Sequence, residues 1–270
     1  MIIIGEKING AIPHTAEAIS RRDDAYITGL VKAQENAGAD FLDVCAGTEP
    51  SQEYDALCWL VDVVQGCAEK PICIDSPDPK ILEKIFPKIR KPGIINSISG
   101  EGEKCRILLP LLREHSDWQV VALCCDNSGM AASADDKARI AFELIEEAGR
   151  FGVSPERIHI DPLVLALSAV NDSSMQFCEA IRRIKDRYPE ANVAAALSNV
   201  SYGMPARSLI NRNFLTLAIA AGLDTVIADP TNRDVIGNIY ATQALMGDDR
   251  YCRKYNAAYR AGKIGAVKKT

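Results

Sequence analysis

Six short apolar segments of this sequence end in an aspartate or an asparagine. The segments close at Asp43, Asp75, Asn96, Asp161, Asn199 and Asp229. Carboxylates and amides accept and donate hydrogen bonds, and carboxylates also hold and release protons. One such residue is readily explained as a helix N-cap, but six at repeated spacing predict a shared polar surface.

The residue types on this predicted surface favour one kind of ligand. Glu6, Asn9, Asp126 and Asn127 fall at comparable positions and add further carboxylates and amides. A carboxylate accepts two parallel N–H bonds from an amidine-like edge, as it does from guanidinium. The 2-amino-4-oxopyrimidine edge of a pterin has this pair of donors, and asparagine amides can bind the ring nitrogens. A planar heterocycle with adjacent N–H groups is therefore a suitable ligand for these carboxylates and amides.

Metal binding is the alternative use of such residues. The three histidines are scattered, and the nine cysteines include no Cys-x-x-Cys pair, which argues against zinc. A hard-cation site formed by Asp43, Asp75 and Asp161 remains open, although no tightly bound metal is expected. An odd number of cysteines within apolar runs is typical of reduced thiols in a cytoplasmic protein.

The segments that must position these residues alternate regularly between two patterns. Strands are predicted at 2–5, 39–45, 71–75, 92–96, 118–125, 158–161, 193–198 and 225–229, and helices at 23–37, 54–67, 79–87, 103–115, 134–151, 173–188, 208–221 and 233–246. Eight strand–helix units of roughly 30 residues predict an α/β fold, a single (β/α)8 TIM barrel. Residues 1–250 are assigned to this barrel, and 251–270 to a C-terminal tail that is partly helical or frayed.

Composition narrows the class of protein. The net charge of −5 leaves no basic surface for nucleic acid. No apolar run approaches the ~20 residues that span a bilayer, and the N-terminus does not have the pattern of a signal peptide. We therefore expect a cytoplasmic protein that binds neither nucleic acid nor membrane.

Motifs in a fixed order along the chain resemble the pterin-binding methyltransferases, and within them the methyltetrahydrofolate:corrinoid protein type. They are Ile4-Gly5-Glu6-Lys7-Ile8-Asn9-Gly10, Asp43, Ile74-Asp75-Ser76, Ile95-Asn96-Ser97, Ile160-Asp161-Pro162-Leu163, Leu197-Ser198-Asn199-Val200-Ser201 and Leu209-Ile210-Asn211-Arg212. The resemblance covers residues 1 to 253. It departs after the fifth strand, where the family often has a Met-Asn-Lys-type stretch and this chain has Cys124-Cys125-Asp126-Asn127.

The resemblance implies a homodimeric pterin-binding barrel that moves a methyl group between N5 of tetrahydrofolate and the cobalt of a corrinoid on a separate protein. The direction of transfer stays open. By match, Asn199 is the catalytic residue that meets N5. The resemblance assigns pterin binding to Asp43, Asp75, Asn96, Asp161 and Asn199, and supporting positions around them to Glu6, Asn9, Arg207 and Asp229.

Other interpretations of the same residues stay open at this stage. A dihydropteroate synthase-like enzyme shares the barrel, but its family pattern has a Gly-rich loop where this chain has Asp161-Pro162-Leu163-Val164. A non-catalytic pterin-binding scaffold that docks a corrinoid protein is a second alternative. Asp75 and Asp161 are also plausible helix caps, and Asn199 is a plausible turn residue.

Overall fold

The computed structural model describes residues 1–265 and contains a closed barrel of parallel strands. The barrel strands are β1 (Ile2–Asn9), β2 (Phe41–Cys45), β3 (Ile72–Asp75), β4 (Ile94–Gly100), β5 (Gln119–Asp126), β6 (Ile158–Asp161), β7 (Asn192–Ala196) and β8 (Thr225–Ala228). Each strand pairs with the next, and β8 pairs with β1 through Ile2 and Thr225. The predicted single (β/α)8 barrel is therefore confirmed.

Helices follow the strands and cover the outside of the barrel. They are α1 (Pro13–Arg21), α2 (Asp24–Ala37), α3 (Pro50–Cys67), α4 (Pro79–Ile85), α5 (Lys104–Glu114), α6 (Ala134–Arg150), α7 (Ser173–Arg187), α8 (Arg207–Ala221), α9 (Arg233–Leu245) and α10 (Arg253–Arg260). Helix α1 was not predicted, although Pro13 stands at its first position, where proline is a known start signal. Among residues 1–265, no helix has both the length and the apolar character needed to cross a membrane.

Two apolar clusters explain why the strands close into a barrel. The larger cluster lies between the strands and the helices, and the smaller one includes Ile4, Cys73, Ile94, Val121 and Ile227. Side chains of a strand alternate between its two faces, so the residues of the smaller cluster point into the barrel. Residues two positions further along the same strands therefore point inward as well, one layer nearer the carboxyl-terminal face.

The first strand is longer than the sequence predicted. We expected a strand over 2–5 and a polar loop from Glu6, but β1 continues to Asn9, so this prediction was wrong. The pairing of β1 with β2 shifts between Gly5 and Ile8, and the Lys7 N–H donates to Gln34 Oε1 at 3.0 Å. This irregularity lets the strand carry polar residues at its end without losing the burial of Ile8.

The seventh strand is shorter than predicted. It ends at Ala196 rather than Ser198, and Leu197–Ser201 form a 3-10 helix. Ser198 and Asn199 therefore lie on a tight turn above the barrel. Backbone bonds from Leu167 N to Val200 O and from Tyr202 N to Asn199 O fix this turn, at 3.0 and 3.1 Å.

The segment after the barrel is held against it. Arg233, at the start of α9, donates from Nε to the Gly265 carbonyl at 3.1 Å and from Nη1 to the Gly262 carbonyl. Ile264 is buried. The predicted tail of 251–270 thus includes helix α10 and a docked stretch up to residue 265, and its last part, 266–270, lies outside the described residues.

Candidate active site

Three polar residues meet where β2, β3 and β4 end. Asp75 pairs in register with Asn96 on one side and with Cys45 on the other. Asp75 follows Cys73 by two residues and Asn96 follows Ile94 by two, so both point into the barrel above the apolar layer. Asn96 donates its side-chain amide to Asp43 Oδ1 at 3.3 Å. The structure therefore brings Asp43, Asp75 and Asn96 together, as the sequence predicted.

Burial controls the charge of this group. Burial raises the pKa of Asp43 well above its usual range, and the neighbouring Asp75 carboxylate raises it further. Burial also raises the pKa of Asp75 to about 6, while a hydrogen bond from the Cys45 thiol opposes the rise. Burial holds the pKa of Cys45 above its usual range, so that thiol stays protonated and able to donate. The Asp75 carboxylate can accept hydrogen bonds from N–H donors, whereas Asp43 Oδ1 already accepts from Asn96.

Asp161 enters the same interior from β6. It is almost fully buried, and its Oδ1 accepts from the Leu163 N–H at 2.8 Å. Burial raises the pKa of Asp161 to about 6, whereas the Leu163 N–H and the nearby Lys137 ammonium lower it. Asp161 follows His159 by two residues on β6, so it also points into the barrel.

Asn199 lies on the 3-10 turn after β7 and is exposed. Arg207, the first residue of α8, holds this turn from behind. Its Nη2 donates to the Ser198 carbonyl at 2.7 Å, and its Nε donates to Ser201 Oγ at 3.0 Å. Arg207 thus supports the turn that carries Asn199, and no sequence motif predicted Ser198 and Ser201 as its partners.

A second charged group lies where β1 and β8 end. Lys7 Nζ lies 3.3 Å from Asp229 Oδ2, and Asp229 also accepts from the N–H and the hydroxyl of Thr231 at 2.9 and 2.6 Å. Burial raises the pKa of Glu6 to about 7, and the Asp229 charge adds to the rise. Lys7 and Arg207 act in the opposite direction. Glu6 therefore exchanges a proton near neutral pH.

Three other residues predicted for the polar surface make hydrogen bonds within nearby turns and loops. The Asn9 side chain accepts from the Ala11 N–H at 2.8 Å. Asp126 accepts from the Ser128 N–H at 2.8 Å, in a hairpin whose short strand Gly129–Met130 pairs with β5. Asn127 accepts from the Gly102 N–H at 3.0 Å. These contacts explain Asp126 and Asn127 as loop residues.

His159 lies deeper in the barrel than Asp161. Its ring nitrogens contact Thr225 Oγ1 at 2.8 Å and Gln119 Oε1 at 2.6 Å. Burial lowers the pKa of His159 to about 4, so the ring is neutral at physiological pH. His159 is therefore a structural residue of the barrel interior.

Metal binding receives no support from the geometry of residues 1–265. Within that range, no three histidine, cysteine, aspartate or glutamate side chains gather closely enough to hold a metal ion. Asp43, Asp75 and Asp161 are therefore not gathered into one cation-binding group in the described part of the chain.

Sequence reasoning missed one buried charge beside the site. Lys137 of α6 is fully buried, and its Nζ donates to the Leu163 carbonyl at 2.7 Å. It stands on the same helix face as the buried Ala134, Ala141 and Leu144. A lysine at a position where the helix pattern calls for an apolar side chain was the signal available in the sequence.

Comparison with known proteins decides the family. The family described as pterin binding enzyme matches residues 15–229 of this chain. The chain belongs to the pterin-binding enzyme family. The family resemblance identified from the sequence motifs is thereby confirmed.

Individual relatives extend this assignment. The chain is 49% identical over 268 residues to a methylcorrinoid:tetrahydrofolate methyltransferase of Eubacterium limosum, covering 99% of each chain. It is 30% identical over 240 residues to the methionine synthase of Mycobacterium tuberculosis, covering 84% of this chain and 20% of that one. A dihydropteroate synthase structure from Xanthomonas albilineans matches with a TM-score of 0.70 at 15% identity, covering 91% of this chain and 92% of that chain. At that identity the likeness shows the shared barrel fold.

Proposed function

We propose that this pterin-binding enzyme is a methyltransferase that moves a methyl group between N5 of tetrahydrofolate and the cobalt of a corrinoid on a separate protein. One observation carries the proposal. Asp75, Asn96 and Asp161, from three different strands, point into one polar layer above the apolar barrel floor. The similarity to the Eubacterium limosum methyltransferase over nearly its whole length supports the same activity.

The buried polar layer fits the pterin edge of a folate. Asp75 and Asp161 each offer carboxylate oxygens to ring N–H groups, in a site where burial strengthens hydrogen bonds. Asn96 is oriented by its bond to Asp43, so its remaining oxygen is directed for a ring donor. Asp43 is proposed to orient Asn96 rather than to contact the pterin, because its Oδ1 accepts from the Asn96 amide.

Asn199 is proposed to act on N5 itself. A tertiary amine is a poor methyl donor, because the electrons of the broken C–N bond must collect on nitrogen. An amide N–H that donates to N5 stabilises this charge as it develops, and it does so more strongly in the transition state than in the substrate. Asn199 is exposed at the end of the barrel, where N5 and an incoming corrinoid can both reach it.

The proposed activity requires a second protein. The corrinoid is a substrate carried by a partner protein, and no tightly bound metal is needed. Exposed Tyr202 and Met130 near the carboxyl-terminal face are available for contact with that partner. Exposed Leu209 and Leu217 on α8 support a homodimer. All nine cysteines are free, which favours the cytoplasm.

A two-way assay with free cobalamins tests the reaction class. The protein is mixed with cob(I)alamin and methyltetrahydrofolate, and separately with methylcobalamin and tetrahydrofolate, while the visible spectrum is recorded. We expect enzyme-dependent conversion between the two cobalamin spectra, with the faster direction indicating the physiological bias. Oxidised folic acid, which has no methyl group on N5, is the substrate control.

Each other outcome of this assay has a meaning. Folate binding without conversion in either direction would exclude methyl transfer and leave a non-catalytic pterin-binding scaffold or a dihydropteroate synthase-like enzyme. The absence of folate binding by the unaltered protein would remove the proposal altogether. A dihydropteroate synthase-like enzyme would bind pterin but leave both cobalamin spectra unchanged.

A further inference from the structure

Lys137 is a fully buried lysine that joins two loops of the carboxyl-terminal face. Its Nζ donates to the carbonyls of Ala131, Pro162 and Leu163, each at 2.7 Å. The ammonium has three protons, so these three bonds satisfy it completely. Ala131 follows the hairpin at the end of β5, whereas Pro162 and Leu163 follow β6. One side chain of α6 thus fastens both loops.

The loop after β6 needs such a fastening, because its backbone is strained. Leu163 has φ of +57°, in the left-handed region that residues with a Cβ rarely adopt. Its carbonyl accepts from Lys137, and its N–H donates to Asp161 Oδ1 at 2.8 Å. The strained residue therefore stands directly between the buried lysine and the carboxylate of the site. Strain of this kind persists where surrounding contacts hold it, and it is common at functional sites.

Lys137 and Asp161 also interact electrostatically. The titratable groups that face Asp161 are Lys137 of α6 and the Cys124 thiol of β5. Burial and the Asp161 charge raise the pKa of Cys124, which stays neutral. Burial lowers the pKa of Lys137, and the Asp161 charge opposes that change. The lysine is therefore the positive charge that offsets the buried carboxylate, although its hydrogen bonds all go to carbonyls.

We propose that Lys137 is a positioning residue for the pterin site, which locks the left-handed turn at Leu163 and so aims the Asp161 carboxylate at the ligand. The inference rests on the proposed function, because it assumes that Asp161 binds folate. Lys137 acts through Asp161 and the loop, and it does not itself touch the substrate.

The test compares Lys137→Met with Lys185→Met. Lys185 of α7 also donates to a backbone carbonyl, that of Ala191 at 2.7 Å, and pairs with Asp224 at 2.5 Å. These partners precede β7 and β8, at the opposite end of the barrel. Each variant removes a lysine that donates hydrogen bonds to backbone carbonyls, but only the carbonyls bound by Lys137 lie beside the proposed pterin site. Tetrahydrofolate affinity is measured by calorimetry from about pH 5 to about pH 8, with circular dichroism to confirm folding.

We expect Lys137→Met to weaken tetrahydrofolate binding by about tenfold or more at neutral pH. We also expect the midpoint of the pH dependence of binding to move upward by about one pH unit, because Asp161 loses the nearby positive charge. Lys185→Met should leave both quantities unchanged. A purely structural lysine would lower the unfolding midpoint without moving the pH midpoint, and that result would overturn the proposal.

A second variant protects the test against a loss of folding. Lys137→Gln keeps N–H donors near the carbonyls but has no charge, and the same upward movement of the pH midpoint is expected. If neither variant folds, Lys137 belongs to the fold rather than to the site, and the assignment fails. Failure of the unaltered protein to bind tetrahydrofolate would instead refute the proposed function, so the two failures are distinguishable.

Discussion

Arg207 donates to the Ser198 carbonyl at 2.7 Å and thereby ties the first turn of α8 to the 3-10 turn that carries Asn199. A second bond, from Arg207 Nε to Ser201 Oγ, closes the same turn from its other end. The orientation of the proposed catalytic amide therefore depends on a side chain of the outer helical layer. This arrangement separates residues that bind the pterin from residues that place the group acting on N5.

Replacing Arg207 by Met should slow methyl transfer by about tenfold while tetrahydrofolate affinity stays nearly constant. The reason is that the turn loses two hydrogen bonds, but Asp75, Asn96 and Asp161 are untouched. The rate is followed by visible absorbance with cob(I)alamin, and affinity by calorimetry. Arg212→Met is the control, because Arg212 lies on the same helix and pairs with Asp234 at 3.5 Å. Equal rates in the two variants would contradict the role assigned to Arg207.

Replacing Asn199 by Ala should lower the methyl-transfer rate by about 100-fold, the usual cost of removing one donor to a developing charge. The dissociation constant of tetrahydrofolate should change little, since the pterin edge is bound elsewhere. Single-turnover spectra and calorimetry measure the two quantities. Asn213→Ala, which removes an exposed amide from α8, should affect neither. A parallel loss of binding and rate would show that Asn199 is a binding residue only.

Folate binding should tighten as the pH rises through about 6. The pKa of Asp75 and that of Asp161 are raised to about 6 by burial, and the ionised carboxylates are the better acceptors for ring N–H groups. Asp161→Asn should weaken binding and flatten this pH dependence. Calorimetric titrations at several pH values check it, with Asp126→Asn as the control. A pH dependence that survives in Asp161→Asn and in Asp75→Asn would exclude both carboxylates as its source.

The same carboxylates should make the ligand-free protein less stable as the pH rises. Their pKa values are higher in the folded chain than in the unfolded one, so the folded state binds more protons between about pH 4 and about pH 6. Stability is therefore lost as the pH rises through that window. Asp161→Asn should raise the free energy of unfolding at pH 8 by roughly 2 kcal/mol, measured by urea denaturation.

Asp126 is a matched control, because its pKa is lowered in the folded protein whereas that of Asp161 is raised. Ser128 and Arg139 lower the pKa of Asp126, so Asp126→Asn should not stabilise the protein at alkaline pH. If Asp126→Asn and Asp161→Asn changed stability by the same amount, burial of Asp161 would not be the cause. Together with the binding data, a stabilising Asp161→Asn variant that binds folate poorly would show that the site is maintained at a cost in stability.

The sequence was sufficient for the barrel and for part of the site. Each barrel strand is a short apolar run, and the strict alternation with helices leaves few other folds for a chain of this length. Asp75, Asn96 and Asp161 were predictable because each directly follows its apolar run. Their convergence then follows from strand alternation and barrel closure. The family resemblance supplied what periodicity cannot, namely the chemistry of the ligand.

The remaining features depend on contacts between distant parts of the chain. The extension of β1 to Asn9 relies on Gln34, and the early end of β7 relies on a turn held by Arg207. Local patterns contain no information about such partners. The position of Lys137 on a buried helix face can be recognised from the sequence pattern. Its partners cannot, because the three carbonyls that accept from it come from separate loops. The roles of the individual site residues stay predictions until the variants are measured.

Closure of the barrel through Ile2 and Thr225 makes the order of synthesis matter. Strand β1 is synthesised before β8 and must wait for the rest of the barrel before its second edge is covered. During that time Glu6 and Lys7 have no Asp229 beside them, and a growing chain has an exposed strand edge that chaperones can recognise. Truncated chains that stop before β8 should therefore aggregate rather than accumulate as a partly active enzyme.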